Sequence, residues 1–219
     1  MKKTIYIIML IFSVFSYFFA QSIITDEQAT GEIKEIIKII KANPNWLREK
    51  PICHSLLVPK VEKEVTFMAE GCENKPNKCF KSCKSGDGNS CYALALLIQI
   101  KTDISNEATN PLFSRACKLG IVSGCTNRAA FDIENAYTNK KKAKCVADTF
   151  EKTCQMNDSW GCTMYGMMLI EGVGREKNLD EAIINLNKAC LKFGLKSESC
   201  QAALRLKNEI EVIKKNNPK

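Results

Sequence analysis

The amino-acid sequence predicts an all-α fold, an α-solenoid of antiparallel helix pairs joined by disulfides. Cysteine pairs of nearly constant spacing recur along the chain, which indicates a repeated structural unit. Apolar residues follow one another at helical intervals within each unit, and no segment alternates long enough to suggest a sheet. An apolar N-terminus with two lysines resembles an export leader, which favours oxidised cysteines. Together these observations predict an exported, disulfide-linked array of helices.

The cysteine spacing is the clearest evidence for repeats. Seven residues separate the members of three pairs and nine separate the members of a fourth. The pairs are Cys83 and Cys91, Cys117 and Cys125, Cys154 and Cys162, and Cys190 and Cys200. Their first members lie 34, 37 and 36 residues apart, which is the length of a helix–turn–helix unit. Small residues follow most second members, as close helix packing requires.

We expect each pair to form a staple, a disulfide that joins the second helix of one unit to the first helix of the next. The first cysteine then lies in the last turn of one helix and the second in the first turn of its antiparallel neighbour. Neighbouring helix ends can bring two Cα atoms within the roughly 7 Å that a disulfide needs. Such staples would fix the angle between successive units, whose stability comes from their shared interfaces.

The unit that begins near Cys154 and ends near Cys200, which we call the third unit, carries the clearest helix boundaries. Gly172–Gly174 predicts a helix end, because glycine tolerates left-handed backbone angles. Asn178 and Glu181 have the spacing of an N-terminal capping pair. Gly194 is expected to end the second helix, and Ser197 to cap a last helix over roughly 198–214.

The helix boundaries on either side of the Cys117–Cys125 pair are predicted from the same signals. Asn110–Pro111 suits a helix start, because proline is tolerated at the first helical position. Gly120 suits the end of that helix. Ser123 is expected to cap a helix over Cys125–Ala136, followed by a polar loop over Thr138–Lys142.

Two more helices are predicted before the four regular cysteine pairs. One covers Lys60–Gly71 and would belong to a shortened first unit. The other covers Glu32–Lys41, where four isoleucines share one face. That face would pack over the first unit as an N-terminal cover, or lie on a membrane surface. The isoleucines are Ile33, Ile36, Ile37 and Ile40.

The predicted domain division is a signal peptide over 1–20, a helical cap over 21–59, a repeat solenoid over 60–214 and a polar tail over 215–219. Lys2 and Lys3 precede an uncharged apolar run, and small residues at Ser16, Ala20 and Ser22 offer cleavage sites. A membrane anchor is the alternative, since the run is near the lower limit for a span. Removal of the two lysines lowers the net charge from +8 to +6.

Four cysteines lie outside the regular pairs. Cys72 and Cys79 have nearly the staple spacing, and we expect them to bond. Cys53 and Cys145 either bond to each other or remain free thiols. A zinc site is disfavoured, because the chain has one histidine, His54, and a leader typical of export.

Several motifs resemble the Sel-1-like repeat family. They are Tyr165-Gly166, Glu171-Gly172-Val173-Gly174, Asp180-Glu181-Ala182 and Lys188-Ala189-Cys190. The staple spacing is similar to that of the Helicobacter cysteine-rich protein branch of this family. The resemblance covers about Cys72–Lys214. It implies a TPR-like solenoid whose concave face binds proteins or peptides. It also implies an alternative activity, because some cysteine-rich members are described as penicillin-binding proteins or weak beta-lactamases.

The residues themselves offer no catalytic motif for that alternative. No serine is followed three residues later by lysine, and Lys-Thr-Gly does not occur. Lys84–Gly86 is a near variant that is common in turns. A serine–histidine–acid triad could use only His54. We therefore predict no catalytic, cofactor-binding or metal-binding residue.

We expect a secreted or periplasmic scaffold, monomeric and without a membrane span once the leader is removed. Its partner would be a protein or peptide in the concave face, or else a beta-lactam or cell-wall-like ligand. Positive charge is spread along the chain with few interleaved aromatics, which disfavours nucleic acid. Residues expected to be exposed on the inner helices are Tyr92, Asn127, Asp132, Tyr165 and Gln201.

Overall fold

The computed structural model describes residues 31–42, 53–102 and 105–216. These residues form helices and connecting turns, and no β-strand occurs among them. The helices are α1 (Gly31–Ala42), α2 (Glu70–Glu73), α3 (Pro76–Lys84), α4 (Gly88–Lys101), α5 (Ser105–Lys118), α6 (Val122–Ala130), α7 (Ile133–Thr138), α8 (Lys140–Gln155), α9 (Ser159–Glu171), α10 (Leu179–Lys188) and α11 (Glu198–Asn216). A short 3-10 turn covers His54–Leu56.

Successive helices pack as antiparallel pairs in a solenoid, so the predicted fold class is confirmed. The pairs are α4 with α5, α6–α7 with α8, and α9 with α10, and we number them as the first, second and third units. Helix α11 begins a fourth unit, and α2 with α3 form the shortened unit that precedes the first. At each junction between units a disulfide spans the turn, with Cα atoms 4.3 to 4.7 Å apart. The second cysteine lies in the first turn of α4, α6, α9 or α11. Each disulfide therefore links the end of one pair to the start of the next.

The buried apolar residues form two clusters that divide at α6. The first gathers side chains from α1 to α5, with Phe113 and Leu94 at its centre. The second gathers side chains from α6 to α11, around Phe150 and Met168. Helix α6 is short and rich in small and polar residues, so it supplies little apolar area to either cluster. Polar and covalent contacts must therefore help to join the part of the chain around the first cluster to the part around the second.

Helix α1 lies over the first cluster. Its predicted isoleucine face is buried, with Ile33, Ile36, Ile37 and Ile40 each at most 4% exposed. The helix contacts α3 and α5, which are the second helices of their units. This arrangement is the N-terminal cover that the sequence predicted.

The helix predicted over Lys60–Gly71 is wrong for most of its length. Residues 57–69, which we call the strap, form no helix, and only α2 follows them. Val65, Phe67 and Ala69 face the first cluster at alternate positions, as in an extended chain. Packing against the array decided the conformation, because a helix would turn Phe67 away from the face that carries Val65 and Ala69.

The prediction of a helix start at Asn110–Pro111 is also wrong. Helix α5 begins at Ser105, so Pro111 lies inside it. Proline in a helix interior removes one backbone hydrogen bond. Ala108 and Thr109, which precede it, are fully buried, as are Leu112 and Phe113 after it. Burial of the apolar side chains of Ala108, Leu112 and Phe113 offsets the missing bond.

The helix predicted over Cys125–Ala136 is divided into α6 and α7. Ser123 lies inside α6 rather than capping it, and Ile121 holds the N-cap position. The break falls where Phe131 packs on the first cluster and Ile133 on the second. The predicted polar loop after it is reduced to one residue, Asn139, whose side chain caps α8.

Boundaries in the third unit agree better with prediction. Gly172 ends α9 with a left-handed backbone, and Asn178 caps α10 by accepting a bond from Glu181 N. Ser197 Oγ accepts a bond from Cys200 N at 3.4 Å, as expected for the cap of α11. Helix α10, however, ends at Lys188, six residues before Gly194. The residues between form a long turn instead of helix. The prediction that Cys190 lies in the last turn of a helix is therefore wrong, because Cys190 lies in the turn that follows α10.

The predicted signal peptide lies outside the described residues, as do its cleavage sites, so that domain division stays a prediction. Within the described part of the chain, no helix has both the length and the apolar character needed to cross a bilayer. Helix α11 extends two residues beyond its predicted end at Lys214, to Asn216.

We expect the disulfide pairs to differ in their effect on stability. Replacing Cys154 and Cys162 by alanine should lower the free energy of unfolding by roughly 2–3 kcal/mol, because their loop is short. Replacing Cys53 and Cys145, which are 92 residues apart, should lower it by about 4–5 kcal/mol. Urea denaturation of both double variants measures the difference. Equal losses would contradict an effect that grows with loop length.

Gly174→Ala should destabilise the third unit severely. Gly174 has φ of 70°, and a Cβ there would overlap the backbone carbonyl of Ala143. Gly86 is the matched control, with φ of 101° and no atom within 4 Å of an added Cβ. Thermal denaturation should show a loss of about 1–2 kcal/mol for Gly86→Ala, from backbone strain alone. The loss for Gly174→Ala should be at least about 1 kcal/mol larger.

Candidate functional site

A buried polar row crosses the division between the two apolar clusters. It begins at Tyr92 on α4, which is 6% exposed. Asn127 on α6 approaches the Tyr92 hydroxyl, with 3.5 Å between Nδ2 and Oη, and also donates to Ser123 O at 2.9 Å. Burial, and then the nearby charge of Asp158, raise the pKa of Tyr92. The hydroxyl of Tyr92 is thus held neutral within the array.

Asp158 joins the second and third units. It caps α9 by accepting a bond from Gly161 N at 2.7 Å. The same carboxylate accepts bonds from Ser123 Oγ at 2.6 Å and Thr126 Oγ1 at 2.8 Å, both on α6. Asp158 is only 6% exposed, so these bonds compensate a buried carboxylate. The polar row from Tyr92 to Asp158 therefore holds neighbouring units together and is not an open binding site.

His54 lies against the array, although it precedes the repeats in sequence. His54 Nε2 is 3.1 Å from Asp132 Oδ2, and Arg128 Nη1 is 3.0 Å from the same oxygen. The hydrogen bond from His54, together with the charge of Arg128, outweighs burial and lowers the pKa of Asp132 to about 2. Asp132, which lies between α6 and α7, is therefore ionised in the native protein and holds the 3-10 turn against the end of α6.

Two further contacts fix this turn. A disulfide joins Cys53 to Cys145 on α8, so the pair that the sequence left open is bonded. Lys152 Nζ, also on α8, donates to Ser55 O at 2.8 Å. The turn thus bridges α6 and α8 by one covalent link and two polar contacts.

His54 bonds to Asp132 as the histidine of a catalytic triad bonds to its acid, but no serine hydroxyl in the described ranges is hydrogen-bonded to His54. His54 Nδ1 is buried and has no hydrogen-bond partner among the described residues. The neighbouring Ser55 hydroxyl contacts Cys53 Sγ at 3.2 Å. These contacts explain how the turn is held, and the beta-lactam alternative stays a prediction of the resemblance.

The third unit contains a cluster of charged residues around Arg175. Its guanidinium binds the carboxylates of Asp148 and Glu151 on α8, the latter at 2.5 Å. Burial opposes the charge of Arg175, but these bonds outweigh it and raise the pKa. Tyr165 donates to Glu181 Oε1 at 3.2 Å, and burial raises the pKa of Tyr165. The loop after α9 is thereby bound to the preceding unit.

The residues predicted to line an exposed binding face are placed differently. Tyr92 and Tyr165 are 6% and 4% exposed, so that prediction is wrong for both, because their hydroxyls bond within the array. Asn127 and Asp132 are half-buried in the contacts described above. Gln201 is exposed, and its Nε2 donates to Leu195 O at 2.6 Å.

The strap reveals a binding residue that the sequence did not indicate. Asn89 Oδ1 accepts a bond from Thr66 N, and Asn89 Nδ2 donates to Phe67 O, both at 3.0 Å. Lys63 N donates to Gly120 O at 2.9 Å. The turns of two successive units thus hold an extended backbone. Nothing in the sequence indicated this contact, because an asparagine after Asp-Gly is common in any turn.

No group of three or more histidine, cysteine, aspartate or glutamate side chains in the described ranges is arranged to hold a metal ion. Each cysteine is in a disulfide. The pairs are Cys53–Cys145, Cys72–Cys79, Cys83–Cys91, Cys117–Cys125, Cys154–Cys162 and Cys190–Cys200.

Comparison with solved structures matches this chain to the cysteine rich protein B of Helicobacter pylori. The two share 27% sequence identity, and the match covers 63% of this chain and 98% of that chain with a TM-score of 0.41. The matched protein carries the name of the branch that the sequence motifs resemble. No protein-family model matches the chain, and no curated protein sequence does.

Asp132→Asn should destabilise the protein in a pH-dependent way. The folded pKa of Asp132 lies below its ordinary value of 3.8, so its carboxylate stabilises the fold fully above about pH 4. This contribution is lost as the pH falls through about 2. The variant should therefore lose roughly 1–3 kcal/mol at pH 6 and much less at pH 2, in urea denaturation.

Glu35→Gln is the control for this experiment. Glu35 forms an exposed pair with Lys38 at 3.9 Å, which contributes little to stability. An Asp132→Asn effect of the same size at both pH values would show that the contact with His54 does not depend on the carboxylate charge.

Proposed function

We propose that this chain is an exported scaffold, secreted or periplasmic, that binds an extended segment of a protein or peptide partner. One observation carries the proposal: the array holds an extended segment of its own chain, the strap. The bonds involve the strap backbone, so they do not depend on which side chains the segment carries. A surface of this kind suits a partner segment of similar backbone conformation.

Asn89 shows how such a segment is held. Its side-chain amide donates one bond and accepts another from successive residues of the strap, at Phe67 and Thr66. Asn89 itself is 7% exposed, and its backbone N is bonded to Asp87 at the start of α4. The amide is therefore positioned by the helix start and does not need to be ordered when a segment binds.

The third unit offers an exposed aromatic residue at the equivalent position. Asn89 precedes the second cysteine of its staple by two residues, and Trp160 precedes Cys162 by two. Trp160 is 39% exposed at the start of α9. Tryptophan is enriched among the residues that dominate binding energies, because it buries a large rigid surface. We assign the partner segment to this start of α9, where the aromatic side chain is exposed.

The disulfides support export. Six bonds in one chain persist where thiols stay oxidised, outside the cytosol. The apolar leader in the sequence fits the same compartment.

Trp160→Ala should weaken peptide binding. We expect short synthetic peptides from an unbiased library to bind the oxidised protein, and the variant to bind the selected peptides roughly ten-fold more weakly or worse. Fluorescence anisotropy with labelled peptides measures both affinities. Ile100→Ala is the matched control, because Ile100 is a 51% exposed apolar residue on α4.

Two results would contradict the proposal. One is the absence of any peptide that the native protein binds. The other is equal affinity of the native protein, Trp160→Ala and Ile100→Ala, which would show that the start of α9 takes no part. Incubation with a chromogenic cephalosporin tests the alternative, since a scaffold should give no turnover.

A further inference from the structure

The turn between α10 and α11 differs from the other turns that carry a staple. The turns 85–87, 119–121 and 156–158 each contain three residues, whereas the turn 189–197 contains nine. Its cysteines have nine residues between them instead of seven. The extra length is not needed to close the disulfide, because Cα atoms of Cys190 and Cys200 are 4.6 Å apart, as at the shorter turns. The additional residues therefore project from the array.

The projecting residues are large and apolar. Leu191 is 79% exposed, Phe193 66% and Leu195 67%, and all three lie within five residues. Large apolar side chains grouped on a protein surface indicate an interaction site. We call residues 191–196 the apolar turn.

The base of the apolar turn is well fixed, so this exposure is built into the structure. The disulfide from Cys190 to Cys200 closes it. Ser197 Oγ donates to Gly194 O at 2.9 Å, and Gln201 Nε2 donates to Leu195 O at 2.6 Å. Gly194, with φ of 73°, allows the chain to reverse between the apolar residues. The three side chains are thus presented from an anchored support.

Lysines surround the apolar side chains. Lys188, Lys192 and Lys196 lie before, within and at the end of the turn, and all three are exposed. Two acidic residues oppose them: Glu198 begins α11, and Glu62 of the strap lies 3.4 Å from Lys192 Nζ. The three lysines and two glutamates together leave a local net charge of +1, in a chain of net charge +8.

The chemistry of this turn fits a membrane surface better than a peptide. A peptide is usually received by a groove, whereas these side chains project outward. Leucine and phenylalanine suit the boundary between headgroups and acyl chains, and nearby lysines attract anionic headgroups. Long lysine side chains can extend to the headgroups while the apolar side chains insert.

We propose that the apolar turn is a peripheral contact site for an anionic lipid bilayer. Leu191, Phe193 and Leu195 insert into the interface, and Lys188 and Lys196 bind lipid phosphates. The site is independent of the peptide surface at Trp160, so either can fail without the other.

Vesicle co-sedimentation of the oxidised full chain tests the site. We expect binding to vesicles of phosphatidylcholine and phosphatidylglycerol in equal parts, and much weaker binding to phosphatidylcholine alone. The triple variant Leu191→Ser, Phe193→Ser and Leu195→Ser should bind the anionic vesicles roughly a hundred-fold more weakly. Lys188→Gln with Lys196→Gln should reduce binding by about ten-fold or more and weaken its salt dependence.

Ile100→Ser with Val212→Ser is the matched control. These residues are 51% and 59% exposed but lie on α4 and α11. The control should bind anionic vesicles as the native chain does, and all variants should share the native melting temperature within a few degrees.

Vesicle binding by the triple variant as strong as that of the native chain would overturn the proposal, as would failure of the native chain to bind anionic vesicles. A third contradicting result would be loss of self-association in the triple variant, measured by sedimentation, with vesicle binding unchanged. That result would show that the apolar turn contacts a second copy of the chain.

Discussion

The covalent link across each turn between units sets the geometry of this molecule. A single helix pair buries too little apolar surface to be stable alone, so stability depends on how closely each pair packs on the next. A disulfide between the end of one helix, or the turn just after it, and the first turn of the next helix holds the two Cα atoms 4.3 to 4.7 Å apart. The link limits the angle between neighbouring units. It also explains why short helices rich in small residues, such as α6, can occur in the stack.

The weakest apolar junction lies at α6, and other interactions concentrate there. The carboxylate of Asp158 receives two hydroxyl bonds from α6, and Asp132 beside its end binds His54. The disulfide from Cys53 to Cys145 then attaches the residues before the repeats to α8. Polar and covalent contacts thus replace the apolar area that α6 does not supply. Because its carboxylate is already bonded to several groups, Asp158 serves the fold and is not open to a ligand.

The strap connects this structural role to function. It spans the division between the clusters, since Phe67 packs on the first and Glu62 reaches Lys192 near the end of the array. The way in which Asn89 and Gly120 hold its backbone illustrates how the same surface can hold a partner. The exposed groups lie elsewhere, at Trp160 and in the apolar turn, which are near each other along the array because Thr163 Oγ1 donates to Ser199 O at 2.9 Å. The third and fourth units therefore carry the surfaces available to partners.

The sequence alone determined the features that depend on neighbouring residues. The period, the cysteines paired across short turns, and the caps at Asn178 and Ser197 are local, so spacing and residue type suffice to predict them. Only the tertiary structure decided the contacts between distant segments. His54 meets Asp132 across 78 residues, the strap is extended where its local pattern favours helix, and Tyr92 and Tyr165 are buried. Each of these contacts joins segments that are far apart in sequence and depends on which surfaces meet once the units are stacked, which no local pattern encodes.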